Sequence, residues 1–317
     1  METFEVIQPG PLTTIQDLGR YGYQQYAVPP SGAIDNYAFR LGNLLAGNDE
    51  AAACLEITLF SLKLRVLKAT IVAITGADLA ATLNSSPIPL WETVAVHRGD
   101  TISFPRLKSG CRAYLSVTGG IEIPRVMGSA ATYTKAGIGG FKGRGLQTGD
   151  RLQTVESTPA LVGKRVPPEY IPIYRDSIEL RVILGPQHDH FTEYGVHTFL
   201  HAEYTVSTKA DRMGYHFEGP RIKHDARADI ISDGIPIGAI QVPGNGLPII
   251  LLADRPTVGG YAKIATVISV DIPKLAQTKP GDKVRFTLVT EYEAHMALKE
   301  YEQEIQTVKR ILRGTQL

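Results

Sequence analysis

Three tight turns share one chemistry, and each is followed by an alternating run. Arg98-Gly99-Asp100 precedes Thr101-Ile102-Ser103-Phe104, Thr148-Gly149-Asp150 precedes Arg151-Leu152-Gln153, and Pro280-Gly281-Asp282 precedes Lys283-Val284-Arg285-Phe286. Glycine supplies the positive φ that a tight turn requires, and the period-2 run after it predicts a strand with one face inward. These read as recurring hairpin entries. Further strands are expected over residues 70–74, 111–117, 178–184, 203–207, 249–252 and 264–270. Their spacing leaves no room for the helical crossovers of parallel βαβ units. The chain is therefore expected to be mainly β, antiparallel, and closed or nearly closed into barrels.

Helices are few. Ile34, Ala38, Leu41 and Leu45 keep a 4-3-4 rhythm that stops at Gly47-Asn48, which predicts a helix over 34–45. A C-terminal helix follows from Ala294, Leu298, Tyr301, Ile305, Val308 and Leu312, with Lys309, Arg310 and Arg313 complementing its dipole and Gly314 beyond. Its apolar stripe is expected to pack on its own chain rather than on a partner. A third helix is possible around 191–199. Pro159, Pro167, Pro168 and Pro172 interrupt helix and ladder alike, so a boundary is expected between 155 and 177, giving domains 1–160 and 161–317.

Charge then removes whole classes of partner. Lys plus Arg number 33 against 32 for Asp plus Glu, a net of +1, and charged residues are only 21% of the chain. A phosphate backbone or an anionic lipid surface would call for an excess of Lys and Arg, so neither nucleic acid nor membrane is an expected partner. Residues 1–10 carry Glu2 and Glu5 and no Lys or Arg, and the longest dense apolar stretch spans only 247–253. No leader or membrane helix is expected. Cys54 and Cys111 stand far apart with no second thiol at zinc-site spacing, consistent with a reduced, cytoplasmic protein.

Several segments could carry chemistry. Arg20, Ser31 and Asp35 place a cation, a hydroxyl and a carboxylate just before the first helix, whose free N–H groups suit an anion. Helix capping by the same residues is the plainer account. Gly139, Gly140, Lys142, Gly143 and Arg144 lie in the densest glycine run, where successive N–H groups could form a nest for phosphate or carboxylate. It is neither a Walker A loop nor a dinucleotide fingerprint, and a mobile loop explains it equally well. His188-Asp189-His190, with His197 and His201 four apart, has metal-like spacing but reads better as surface histidines, so no metal is expected. Asp211-Arg212 and Asp254-Arg255 are each followed by glycine and tyrosine. An aspartate beside an arginine can fix a guanidinium whose fork grips a carboxylate or phosphate, or can simply form a salt bridge. No nucleophile elbow, biotinyl-lysine motif or ATP module is present.

Taken in order, Gln16-Asp17-Leu18-Gly19-Arg20-Tyr21-Gly22, Ser31-Gly32-Ala33-Ile34-Asp35, Gly47-Asn48 with Cys54-Leu55-Glu56, Thr75-Gly76-Ala77, Gly119-Gly120, Met127-Gly128-Ser129, Gly139-Gly140 with Gly143-Arg144, Gly185-Pro186-Gln187, Asp211-Arg212-Met213-Gly214, Gly238-Ala239-Ile240-Gln241-Val242-Pro243, and Asp254-Arg255 with Gly259-Gly260-Tyr261 resemble the allophanate hydrolase subunit 2 family, also called the biotin-dependent carboxyltransferase family. No single motif is specific, but eleven in order are. The resemblance implies two cyclophilin-like β-barrels and a small lactam or amide substrate. It also implies work in a complex, most closely as one component of an ATP-dependent 5-oxoprolinase that opens 5-oxo-L-proline to L-glutamate with the A and B subunits. Two alternatives come with the family. One is a regulatory protein that sequesters the B subunit, which is kinase-inhibitor-like, and the other is a module that moves CO2 from carboxybiotin to urea or another small amide. The chain alone would then bind no cofactor, the complex would use ATP, and biotin would enter only for carboxyl transfer. Amide activation needs cations for developing negative charge and a carboxylate to take a proton. Arg20, Arg212 and Arg255 suit the first role, and Asp35, Glu56, Asp211 and Asp254 the second. Ser31, Gln187, Gln241, Thr257, Gly259, Gly260 and Tyr261 are expected to line the substrate with Arg20.

Overall fold

The computed structural model describes residues 2–158, 160–225 and 227–314. Pro159, one of the boundary prolines, lies outside the described residues. The chain divides into two compact units: 1–20, 31–174 and 302–317 form unit 1, while 21–30 and 175–301 form unit 2.

Unit 1 holds strands β1 (Glu2–Pro9), β2 (Leu12–Gln16), β3 (Cys54–Thr58), β4 (Leu62–Val66), β5 (Thr70–Asp78), β6 (Thr82–Leu83), β7 (Ser86–Pro87), β8 (Thr93–Val96), β9 (Thr101–Ser103), β10 (Ser109–Val117) and β11 (Arg151–Gln153), with helix α1 (Asn36–Leu45). They form a six-stranded sheet, β11-β1-β4-β9-β6-β7, and a five-stranded sheet, β2-β3-β10-β5-β8. One core joins them, with Phe4, Val6, Leu64 and Ile102 from the first sheet meeting Leu55, Ile57, Ile74 and Leu115 from the second. Strand β4 buries Leu62, Leu64 and Val66 and exposes Lys63 and Arg65, the alternation of a sheet with one wet face. Strands β5 and β10 are buried nearly throughout because α1 covers their other face. Gly42 permits that approach: a Cβ there would stand 2.7 Å from Thr75 Oγ1 and 2.9 Å from Ser116 Oγ.

Unit 2 contains β12 (Ser177–Leu184), α2 (Glu193–His201), β13 (Tyr204–Ala210), β14 (Gly214–Glu218), β15 (Asp229–Gly234), β16 (Ala239–Gln241), β17 (Ile249–Leu251), β18 (Val258–Tyr261), β19 (Lys263–Val267), α3 (Ile272–Ala276) and β20 (Lys283–Leu288). Seven strands close a barrel in the order β12-β19-β16-β17-β14-β13-β20, and β15-β18 form a separate two-stranded sheet. The barrel is not wholly antiparallel: β12 and β20 run parallel from Ser177↔Lys283 to Val182↔Leu288, and this pair closes it. The expected pair of barrels is thus realised as one closed barrel and one pair of facing sheets.

Each Gly-Asp turn does precede a strand, but none closes a hairpin between strands adjacent in sequence. The turn at Gly99 leads from β8 in one sheet to β9 in the other, β11 pairs with β1, and β20 pairs with β12 and β13. The final helix, α4 (Glu291–Arg313), starts at a capping box in which Thr290 Oγ1 accepts from Glu293 N and Glu293 Oε2 accepts from Thr290 N at 2.7 Å. Its first part packs Ala294, Ala297 and Tyr301 against Ile268 and Val270 within unit 2. Its second part joins unit 1, where Glu302 takes both guanidinium ends of Arg40 and Lys309 pairs with Glu50. The stripe therefore docks on its own chain, except that Leu298 is 40% exposed and Ala297 is buried in its stead.

Candidate functional site

In unit 1 the entry to α1 is a tight knot of backbone and carboxylates. Gly32 has φ +86°, and a Cβ there would sit 2.8 Å from Gly19 N, so this close approach to residues 18–19 requires glycine at position 32. Asp35 is the N-cap, accepting from Ala38 N at 2.9 Å. Glu56 Oε2 accepts from Ile34 N at 3.1 Å and from Tyr114 Oη at 2.8 Å, while Tyr114 Oη accepts from Asp35 N at 2.9 Å. Tyr174 Oη donates to Asp35 Oδ2 at 3.3 Å, and buried Arg112 stands 3.9 Å from Glu56 Oε1. The helix start does attract negative charge, but Asp35 and Glu56 of the chain itself supply it. Burial pushes the Tyr114 phenol far above its ordinary range, so it stays protonated as a donor to Glu56.

Arg20 is fully buried. Its Nε donates to Val126 O at 2.9 Å and its Nη2 to Ala131 O at 2.8 Å. Asp17 fixes the same loop by accepting from Ser129 Oγ at 2.7 Å and Ala130 N at 2.6 Å. The glycine run lies over this cation, because a Cβ on Gly139 would reach 2.5 Å from Arg20 Nη2 and one on Gly140 would strike Thr132 Oγ1. Gly140, Gly143 and Arg144 donate their N–H groups to Ala130, Gly139 and Phe141 carbonyls, which removes them from any nest. Arg144 grips Asp150 through both nitrogens at 2.7 and 2.8 Å. The cation this loop presents outward is Lys142, exposed at φ +58° beside the Phe141 ring. Lys142, Phe141, Arg151 and Glu122 border a cleft of about 830 Å³.

Unit 2 stitches its two Asp-Arg motifs together. Arg212 pairs with Asp254 of the other motif, Nε–Oδ2 3.0 Å and Nη2–Oδ1 3.2 Å, rather than with its neighbour. Asp211 instead turns the chain, accepting from Met213 N and Gly214 N. Arg255 donates from Nε to Ile235 O at 2.8 Å and from Nη1 to Leu252 O at 3.1 Å, and burial pulls it below the usual guanidinium range. Ile235 N in turn donates to Thr257 O. Gln187, Gln241, Gly259 and Tyr261 gather around a residue that the motifs did not single out, Lys263. Its Nζ meets Asp233 Oδ2 at 2.8 Å, and its backbone N donates to Gln187 Oε1. That ammonium holds Asp233 below the usual carboxylate range. Gln241 Nε2 donates to Tyr261 O at 3.4 Å, and Gly259 lies against that amide. Gly260 opens toward Ile230 O and Ser232 Oγ, which lie 3.4 and 3.7 Å from a built Cβ.

Within unit 1 the structure thus brings Asp35 to Glu56 and Arg20 to Gly139. Within unit 2 it brings Arg212 to Asp254, and Gln187 and Gln241 to Lys263. Ser31 is buried at φ +55°, and Asp35, not Ser31, caps the helix. Tyr114, Tyr174 and Lys263 went unread in the sequence; the one available signal was a lysine opening an otherwise apolar strand, Lys263-Ile264-Ala265. His197 and His201 stack at 4.0 Å, and His188 bonds Gly185 O. Among the described residues no group of three or more His, Cys, Asp or Glu is placed to hold a metal ion. Both thiols are buried, and burial raises Cys54 well above the reactive range.

Residues 26–288 match the family described as carboxyltransferase domain, subdomain A and B, and the chain belongs to that family. Among its relatives, the C subunit of 5-oxoprolinase from Escherichia coli is 35% identical over 308 residues, covering 93% of this chain and 94% of the relative. Urea amidolyase of Saccharomyces cerevisiae is 36% identical over 93% of this chain, which spans only 17% of that enzyme. The solved structure of the Kluyveromyces lactis urea carboxylase superposes with a TM-score of 0.92 at 31% identity, over 97% of this chain and 29% of that one. No helix among the described residues is long and apolar enough to cross a membrane.

Proposed function

We propose that this protein is the C subunit of an ATP-dependent 5-oxoprolinase, working with the A and B subunits to open the lactam of 5-oxo-L-proline to L-glutamate. The observation that carries this reading is the likeness to the Escherichia coli 5-oxoprolinase component, 35% identical over 93% of this chain and 94% of that relative. By the family resemblance, the unit 2 barrel is cyclophilin-like.

Amide opening requires positive charge where the carbonyl oxygen becomes negative, and a fixed frame around it. Arg20 and Arg255 act here as positioning residues, because each holds loop carbonyls: Val126 and Ala131 for one, Ile235 and Leu252 for the other. Within unit 2, Gln187, Gln241 and Tyr261, gathered at Lys263, are the polar groups left to meet substrate. Phosphoryl activation by ATP comes from the partner subunits. The test is reconstitution: the purified chain with the A and B subunits should release glutamate from 5-oxoproline only when ATP is present. No release from an assembled complex would overturn the assignment.

Carboxyl transfer from carboxybiotin is the second reading, favoured by the family description and by the urea carboxylase fold. It requires a biotinylated partner, so activity insensitive to avidin would eliminate it.

A further inference from the structure

Lys263 opens β19 and is 2% exposed. A buried ammonium needs a counter-charge, and Asp233 provides it. The two partners are unlike. Asp233 is 53% exposed and sits on β15, whose residues are mostly exposed and which pairs only with β18, outside the barrel ladder. Gln187 touches both: it accepts from Lys263 N at 3.2 Å and hydrogen-bonds Asp233. Gln241 stands at the register position paired with Lys263, and its amide is buried. Gly259 of β18 brings the two-stranded flap against that amide, since a Cβ there would lie 3.0 Å from Gln241 Nε2.

We propose that this group is a carboxylate-binding site in which Lys263 receives the carboxylate of a small lactam acid and Asp233 is the resident carboxylate that the ligand replaces. The identity of the acid as 5-oxoproline rests on the reading above; the site itself does not. Exchange is chemically even, one carboxylate for another on the same ammonium, and Asp233 moves from a half-exposed position into water at little cost. An ammonium carries three donors, and Asp233 accepts one. The flanking glutamine amides each offer a donor and an acceptor, which match the carbonyl and N–H of a lactam ring. Arg255 supports the arrangement by holding Ile235, two residues beyond Asp233.

The test compares 5-oxoproline with 2-pyrrolidone, the same lactam without its carboxylate, by calorimetry and by turnover in the reconstituted complex. Wild type should prefer 5-oxoproline. Lys263→Met should lose that preference, weakening 5-oxoproline by about 10- to 100-fold relative to 2-pyrrolidone. Asp233→Asn removes the resident competitor and should bind 5-oxoproline several-fold more tightly. If Lys263→Met does not fold, Asp233→Asn decides, because it lies on an exposed strand. The proposal is overturned if wild type shows no preference, if Lys263→Met keeps it, or if Asp233→Asn weakens 5-oxoproline. A wild-type complex that binds 5-oxoproline in this manner without hydrolysing it would overturn the 5-oxoprolinase reading and leave the site standing.

Discussion

The Arg212–Asp254 pair gives a test whose size follows from geometry. Both side chains are 5% exposed and meet through two contacts of 3.0 and 3.2 Å, joining two turns that are 42 residues apart in sequence. Removing one member breaks a buried, doubly bonded ion pair from one side only, which costs about 3–5 kcal/mol. Replacing both with apolar side chains removes the two desolvation penalties together and costs far less, about 0–2 kcal/mol. Arg212→Met and Asp254→Leu, singly and combined, should therefore show a coupling energy of about 3 kcal/mol or more, over a hundredfold in the folding equilibrium. Urea unfolding followed by far-UV circular dichroism measures it. Trp91, the only tryptophan, belongs to unit 1, so its emission is not the probe to use. A coupling below about 0.5 kcal/mol would show that the pair does not hold the two motifs together, and the argument from burial would fail.

Other outcomes follow from the same reasoning. Tyr114→Phe strips Glu56 of a charge-assisted hydrogen bond and removes the hydroxyl that accepts from Asp35 N; stability should drop by about 3 kcal/mol in the same urea assay. Gly140→Ala places a Cβ on Thr132 Oγ1 at a φ of +49°, so it should destabilise by about 2 kcal/mol or more, measured as a lowered thermal midpoint, whereas Gly149→Ala, with open space, should cost only the left-handed strain of about 1 kcal/mol. Asp271 is buried, which by itself raises its pKa, but hydrogen bonds from the Arg181 side chain, Lys274 and Arg181 N outweigh this and hold it below the usual carboxylate range. Its folded pKa is depressed, so its contribution is present above about pH 4 and is lost as pH falls through the folded value. Asp271→Asn should accordingly flatten the acid limb of a stability-versus-pH curve, and an unchanged limb would refute that assignment.

Local signals were the legible part of the sequence. Short apolar and alternating runs located β5, β10, β12, β13, β17 and β19, and 4-3-4 spacing located α1 and α4, because each depends only on near neighbours. Partnering was not legible. Nothing near Gly99 says that β8 and β9 lie in different sheets, and nothing near Lys283 says that β20 runs parallel to a strand that begins 106 residues earlier. Register is fixed by cores assembled from distant strands.

The same distinction explains why arginines that look like ligands also hold the framework. Residue type marks Arg20 and Arg255 as cations in glycine-rich loops, yet what a guanidinium does is set by where its acceptors lie. For Arg20 those are carbonyls 106 and 111 residues away. A guanidinium holding two carbonyls keeps its charge while shaping a loop, which is how a chain of net charge +1 can concentrate positive potential beneath glycine-rich segments. Lys263 is the converse case: its strand position hides it in the alternation, and only its exposed partner Asp233 reveals a buried cation whose counter-ion is exchangeable. In this fold the residues that meet a ligand are best sought by the exposure of their partners, and Asp233→Asn is the substitution that separates an exchangeable pair from a structural one.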